Sequence, residues 1–232
     1  MKILAIGAHP DDIEIFMYGF LAKCKLRGDS IFSVVVTDGA AGDVRKKEKI
    51  SDLPKIRQGE SISALKNLCK PKFLKFPDGN LTYDESLRNE IKKLVELYNP
   101  NLIVTHYKKD YHPDHRILSK IVADVAGTKI PVLFSETLLG LNFKPDYYID
   151  ITDVFEEKVN SILCHYSQIP ERFVKAIKIQ NRFRSAQCNA PSGYYAECYK
   201  TFNSFPFADI RNMLPNSPKT REFFVEDSDA LL

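Results

Sequence analysis

Short apolar runs alternate along the chain with longer stretches in which apolar positions recur every three to four residues. The runs Lys2–Gly7, Ile31–Thr37, Lys72–Phe76 and Leu102–Thr105 are compact and dense in Ile, Leu, Val and Phe, which predicts buried strands. Between them the spacing predicts helices over Pro10–Leu26, from Pro54 to Leu68, over Ser86–Tyr98 and from Pro113 to Ala126. Gly28-Asp29, Pro77-Asp78-Gly79-Asn80 and Asn99-Pro100 supply the stops and turns. Shorter strands are predicted at Pro131–Phe134 and Tyr147–Ile151, then a helix capped by Asp153 and reaching His165. A basic helix over Glu171–Phe183 and a returning strand over Tyr194–Phe202 complete the pattern.

Strands alternating with helices imply an α/β fold, a mainly parallel sheet with right-handed crossovers. The expected organisation is a single domain over residues 1–215 and a polar tail over 216–232, which ends in Glu-Asp-Ser-Asp before Ala230. The turn after the first strand has no GxGxxG, and no phosphate-cradling P-loop occurs, so nucleotide binding of those two kinds is excluded.

Composition narrows the picture further. A hydrophobic share of 44% in 232 residues supports a sizeable core. A net charge of +3 with interleaved Lys and Glu gives no basis for nucleic acid as partner. The densest positive patch, Arg45-Lys46-Lys47-Glu48-Lys49, reads first as a solvated loop. The cysteine count is odd, at five, with no CxxC pair and no signal peptide, which predicts packed thiols in a reduced, cytoplasmic protein. No apolar run is long enough for a membrane span. Subunit number is open, a homo-oligomer included.

The chemistry concentrates in two tetrapeptides, His9-Pro10-Asp11-Asp12 and His112-Pro113-Asp114-His115, which hold three of the five histidines. Each sits where a strand hands over to a helix. In an open parallel sheet such turns lie at the carboxyl ends of the strands, where ligands bind. If the two strands are neighbours, the two clusters face each other. An imidazole and two carboxylates in one turn are costly core material. They are good ligands for a divalent metal, with a carboxylate left over as a base.

The two motifs together resemble those of the PIG-L/LmbE family of metal-dependent N-acetylglucosaminyl deacetylases. Further matches are Thr37-Asp38-Gly39, Arg57 with Glu60, Pro77-Asp78-Gly79, Asp150, Lys158, His165-Tyr166-Ser167-Gln168 and Tyr195-Ala196-Glu197, so the likeness spans residues 1 to 202. It implies a Rossmann-like three-layer fold. It also implies that His9, Asp12 and His115 bind one divalent metal, with Zn2+ first and Fe2+, Co2+ or Mn2+ as alternatives. Asp11 is then the general base, and His112 faces the developing oxyanion. For Arg57 the resemblance implies binding of a substrate hydroxyl or phosphate; pairing with Glu60 one turn on is the plain alternative. For Asp78 sugar-hydroxyl binding stands against a simple turn role. Asp114 reads as a helix-start carboxylate, His106 as a hydrogen-bonded strand end, and Tyr194-Tyr195 as core packing rather than a sugar platform.

Two departures from the family pattern stand out. A small-residue segment with paired glycines is replaced by Phe16-Met17-Tyr18-Gly19-Phe20. Asp110 stands where some relatives carry a tyrosine, with Tyr107 or Tyr111 as substitutes at hand. The function this implies is removal of an acetyl group from an N-acetyl amino sugar, a small-molecule substrate of the N-acetylglucosamine type. The rivals are an amidase of the same mechanism on a non-sugar amide, and a sugar-binding module whose metal is structural.

Overall fold

The structure, a computed structural model, describes residues 1–42, 52–202, 207 and 209–222. The basic run at 45–49 and the end of the tail lie outside the described residues. Seven strands form one sheet in the order β3-β2-β1-β4-β5-β7-β6. They are β1 (Lys2–Gly7), β2 (Ser30–Thr37), β3 (Lys72–Phe76), β4 (Leu102–His106), β5 (Val132–Ser135), β6 (Tyr147–Asp150) and β7 (Ala196–Thr201). The first five run parallel; β7 lies antiparallel between β5 and β6. The helices are α1 (Asp12–Phe16), α2 (Tyr18–Leu26), α3 (Leu53–Ala64), α4 (Glu85–Tyr98), α5 (Pro113–Ala126), α6 (Phe155–Leu163) and α7 (Glu171–Gln187).

Helices cover both faces, which is why β1 and β4 read as unbroken apolar runs. Alternate residues of β1 enter opposite cores. Ile3 and Ala5 pack with α1, α2 and α6, whereas Leu4 and Ile6 pack with Leu87, Ile91 and Leu94 of α4 and Leu118 and Ile121 of α5. The mostly parallel α/β fold expected from the alternation is the fold observed. Asp84 caps α4 by accepting from Leu87 N at 3.0 Å, and Asn99 ends it in the left-handed region at φ 45°.

Two local expectations are corrected. The helix predicted over Pro10–Leu26 breaks at Met17, where φ is −134°. The break leaves N–H groups at the start of α2 without helical partners. The Glu197 carboxylate takes two of them, from Gly19 N at 2.9 Å and Phe20 N at 2.8 Å, and its charge suits a helix N-terminus. Asp153 does not cap α6. A short 3-10 turn, Thr152–Val154, precedes that helix, and the Asp153 carboxylate pairs with Lys23 Nζ at 2.7 Å. The capping interaction sits upstream, where Asp150 Oδ1 accepts from Thr152 N and Oγ1.

The start of the tail lies against the body. Asn216 O accepts from Asp150 N at 2.9 Å, Pro218 is buried, and Arg221 N donates to Asn189 O at 3.0 Å. All five cysteines are free thiols. No helix among the described residues is long and apolar enough to cross a membrane.

Candidate active site

β1 and β4 are adjacent, with Ile3 opposite Leu102 and Ala5 opposite Val104. The chain winds from β1 outward through β2 and β3, then returns to start β4 on the other side. This is the switch point of the sheet, and the crevice beyond it is the expected ligand site. Both His-Pro tetrapeptides sit there, face to face. At the first, Asp11 adopts φ 118° and ψ −20°, a left-handed conformation rare outside glycine and costly by roughly 1–3 kcal/mol. The turn sends adjacent carboxylates in different directions. At the second, Pro113 opens α5 and His112 caps it, with Nδ1 accepting from Asp114 N at 3.2 Å.

His9, Asp12 and His115 bring their donor groups together, each histidine nearest a different oxygen of Asp12; His106 and His112 also come within ligating distance of members of this cluster. His9 Nδ1 lies 3.2 Å from His115 Nε2 and 3.3 Å from Asp12 Oδ2, and His115 Nε2 lies 3.3 Å from Asp12 Oδ1. Ligand bonds of 2.0–2.1 Å in a tetrahedron give edges of about 3.3 Å. The far nitrogen of each imidazole meets a carboxylate. His9 Nε2 lies 3.1 Å from both Asp114 Oδ2 and Asp78 Oδ1, and His115 Nδ1 lies 3.1 Å from Asp110 Oδ2. Such partners fix ring orientation and leave the near nitrogen free to ligate. The partners are themselves held: Asp114 accepts from Gly79 N and Leu81 N, and Asp110 from His112 N. The donor set therefore fits a divalent cation.

Electrostatics agree with that fit. Burial opposes charge on His9 and His115, yet the surrounding carboxylates win. His9 is held well above its usual pKa, mainly by Asp12, and His115 is pushed up to about 9 by Asp12 and Asp110. Burial likewise works against an ionised Asp12, but the three histidines His115, His106 and His9 hold it well below the carboxylate range. In the metal-free protein, protonated imidazoles thus balance the carboxylates where a dication would otherwise do so.

Asp11 lies beside this cluster. Its Oδ2 is 3.2 Å from Arg57 Nη2, while Arg57 also donates to Pro10 O at 2.6 Å and Gly39 O at 2.9 Å. Burial raises the Asp11 carboxyl above its usual range, against the pull of Arg57. His112, half-buried, has its ring centroid 4.5 Å from that of His9. With Nδ1 accepting a backbone N–H, its own proton sits on Nε2. Burial, reinforced by His9 and His115, keeps its pKa below the ordinary value. A pocket of ≈ 270 Å³ opens over these groups. Its wall includes Ala41, Gly42, Asp78, Tyr111, Arg172 and Phe173.

All seven site residues named from the sequence line this pocket. Arg57 does not pair with Glu60; it clamps the turn around Asp11, and Glu60 instead accepts from Ser167 N and Oγ. Asp78 is engaged with His9 and with Ala41 N. Tyr111 is on the pocket wall, whereas Tyr107 packs edge-on against Phe143. Tyr195 stacks on Phe155 at 3.6 Å and 1°, as core packing. His106 is a packed strand end, stacked on His115 at 3.7 Å and within 3.0 Å of Ala8 N and Asp12 Oδ2. Sequence reasoning missed Asp110 and Asp114 as the carboxylates that meet the second nitrogens of His115 and His9. The signal available was chemical: each ligating imidazole needs a partner on its second nitrogen.

Diacetylchitobiose deacetylase of Thermococcus kodakarensis is 26% identical over 189 residues, covering 73% of this chain and 71% of that protein. The structure of N,N'-diacetylchitobiose deacetylase from Pyrococcus horikoshii, in complex with an inhibitor, superposes with a TM-score of 0.76 at 23% identity, covering 87% of this chain and 83% of that one. A 4-carboxy-2-hydroxymuconate hydratase from Pseudomonas putida superposes with a TM-score of 0.78 at 20% identity, covering 90% of this chain and 99% of that one. At such identities the superpositions show a shared fold, not a shared reaction. The family pattern described as GlcNAc-PI de-N-acetylase, PIG-L, matches residues 4–126, more than half of the chain and the whole stretch bearing both His-Pro motifs; the chain belongs to this family of deacetylase enzymes.

Proposed function

We propose that this chain is a metal-dependent hydrolase that removes an acetyl group from the amine of an N-acetylglucosamine-type sugar or its conjugate. The observation that carries the reading is the convergence of His9, Asp12 and His115 at 3.2–3.3 Å, with an independently held carboxylate, Asp11, beside them. These three residues would hold the divalent ion, Zn2+ first by donor chemistry. When bound, such an ion acidifies water and polarises the amide carbonyl.

The protein groups supply the proton transfers and the positioning. Asp11 accepts a proton from the attacking water as its oxygen bonds to the carbonyl carbon. A carboxyl pushed upward by burial is a better acceptor than a solvated one, and a positioned base contributes roughly 100- to 10,000-fold. His112 Nε2–H donates to the oxyanion of the tetrahedral intermediate. Asp11 returns its proton to the leaving nitrogen as the C–N bond breaks, giving acetate and the free amine. Arg57 keeps Asp11 in its left-handed turn, and Asp78, on the pocket wall beside His9, is the carboxylate proposed to meet a sugar hydroxyl. The free cysteines favour a reducing, cytoplasmic setting.

The strained, buried base argues against a metal that is only structural. Acetate release from N,N'-diacetylchitobiose and from N-acetylglucosamine, with and without chelator, is the test. Release that chelation abolishes and Zn2+ restores is expected. Metal binding with no release from these sugars, but turnover of a simple N-acetyl amine, would transfer the assignment to a non-sugar amidase.

A further inference from the structure

Two apolar side chains, Ile15 and Phe16, lie between the catalytic pocket and a second space. Behind the site lies a cavity of ≈ 10 Å³, room for about one water molecule. Its wall includes Glu136, Lys158, Asn181 and Glu197. Asn181 Oδ1 and Glu136 Oε2 are buried there without hydrogen-bond partners. The pocket and this cavity have two lining residues in common, Ile15 and Phe16. Phe16 is 9% exposed and stands edge-on to His106 and His115, with ring centroids 5.8 and 6.0 Å away. It is therefore next to a ligand histidine on one side and against a polar void on the other.

The orientation of an amide in this site follows from size. The carbonyl carbon carries two substituents, the sugar-bearing nitrogen and the acyl tail. The sugar is large and hydroxyl-rich, and it fits only towards the open side, where Ala41, Gly42, Tyr111 and Arg172 form the wall. The acyl tail is left with the closed, apolar end formed by Ile15 and Phe16. We infer that Phe16 is the residue that sets acyl-chain length, closing the acyl end of the pocket so that it accepts acetyl and rejects longer chains. This rests on the deacetylase reading above and deepens it.

The sequence supports the choice of residue. Phe16 belongs to the bulky stretch that replaces a small-residue segment of the family. Gly19, kept in that stretch, is there for packing: a Cβ would meet Ile151 Cγ2 at 2.6 Å and Glu197 Oε1 at 2.8 Å. Phe16 belongs to the buried core cluster as well, so its variants are compared by acyl-chain ratio rather than by total activity. A hydrophobic wall discriminates a single methylene by about 10- to 200-fold in kcat/KM.

The test uses the zinc-loaded enzyme and N-acetyl-, N-propionyl- and N-butyrylglucosamine, with the freed amine measured in each case. Wild type should lose at least about 10-fold from acetyl to propionyl and more to butyryl. Phe16→Ala, which removes the larger of the two shared wall side chains, should shift the propionyl-to-acetyl ratio upward by about 10-fold or more. Phe16→Leu should shift it less and decides the matter if the alanine variant does not fold. A ratio is insensitive to a general loss of activity, so a merely structural role for Phe16 would leave it unmoved. A flat wild-type profile, or variants that keep the wild-type ratio, overturns the inference and leaves the deacetylase reading standing. Release of amine from none of the three substrates overturns both.

Discussion

Adjacent aspartates face different partners across one turn. Asp12 points to His9, His106 and His115, whereas Asp11, held at positive φ, points to Arg57. Their roles should therefore separate. Asp11→Asn keeps shape and removes only the proton acceptor, so metal content and folding should persist while kcat falls by roughly 100-fold or more. Asp12→Asn should weaken metal binding first and recover part of its activity in excess Zn2+. Metal titration and acetate release on both variants, side by side, check this; metal loss confined to Asp11→Asn would exchange the roles. Asp110→Asn tests the orienting carboxylates. Its amide cannot accept strongly from His115 Nδ1–H, and metal affinity should drop by about 10- to 100-fold with kcat at saturating metal less affected. The clustering of His9, Asp12 and His115 was legible because two short motifs repeat His-Pro-Asp after neighbouring strands. Asp110 and Asp114 were present in the same letters, but their partners are reached through space: Asp114 touches His9 from the other turn, 105 positions away. No local spacing encodes that.

At the scale of elements, strand positions and most helix starts followed from periodicity and turn chemistry; the break in the first helix and the start of α6 did not. Residues 10–26 read as one helix, and no Pro interrupts it near Met17. The cause is distant: Glu197 on β7 accepts from Gly19 N, Phe20 N, Tyr199 Oη and Lys158 Nζ, and so rewards a second helix start. Lys158 and Glu197 are both almost fully buried. Removing one partner strands the other, which costs about 3–5 kcal/mol. Glu197→Ala should therefore lose about that much in urea unfolding, and pairing it with Lys158→Met should restore part of the loss. If the single variant unfolds like wild type, the Glu197 carboxylate does not hold the break. The tail boundary was legible only as composition. Asn216 and Arg221 read as polar sequence, yet their backbone groups bond to the body, and Pro218 between them is buried.

In the molecule as a whole, four of the five histidines, His9, His106, His112 and His115, meet carboxylates at one switch point, and if a cation binds there as proposed, stability should depend on its presence. In the metal-free protein His115 has a pKa of about 9 and His9 lies well above its ordinary value, whereas in the unfolded chain both titrate near 6.5. A histidine raised on folding stabilises the folded state when protonated. That contribution is fully present below about pH 6.5 and is lost as pH rises through 9. Asp12, held low by the same histidines, acts in another window: its contribution is present above about pH 4 and fades only in acid. Metal-free protein should therefore lose on the order of 1–3 kcal/mol of unfolding free energy between pH 6.5 and 9. A divalent ion displaces those protons, because it needs neutral imidazoles. Zinc-loaded protein should show the opposite slope in this window, gaining stability as competition from protons declines. Urea titrations at pH 6.5, 7.5 and 9, with EDTA or with saturating Zn2+, give the two curves, and they should diverge with pH. Parallel curves would mean that His9 and His115 do not carry the protons that the ion replaces, and that the cation binds elsewhere.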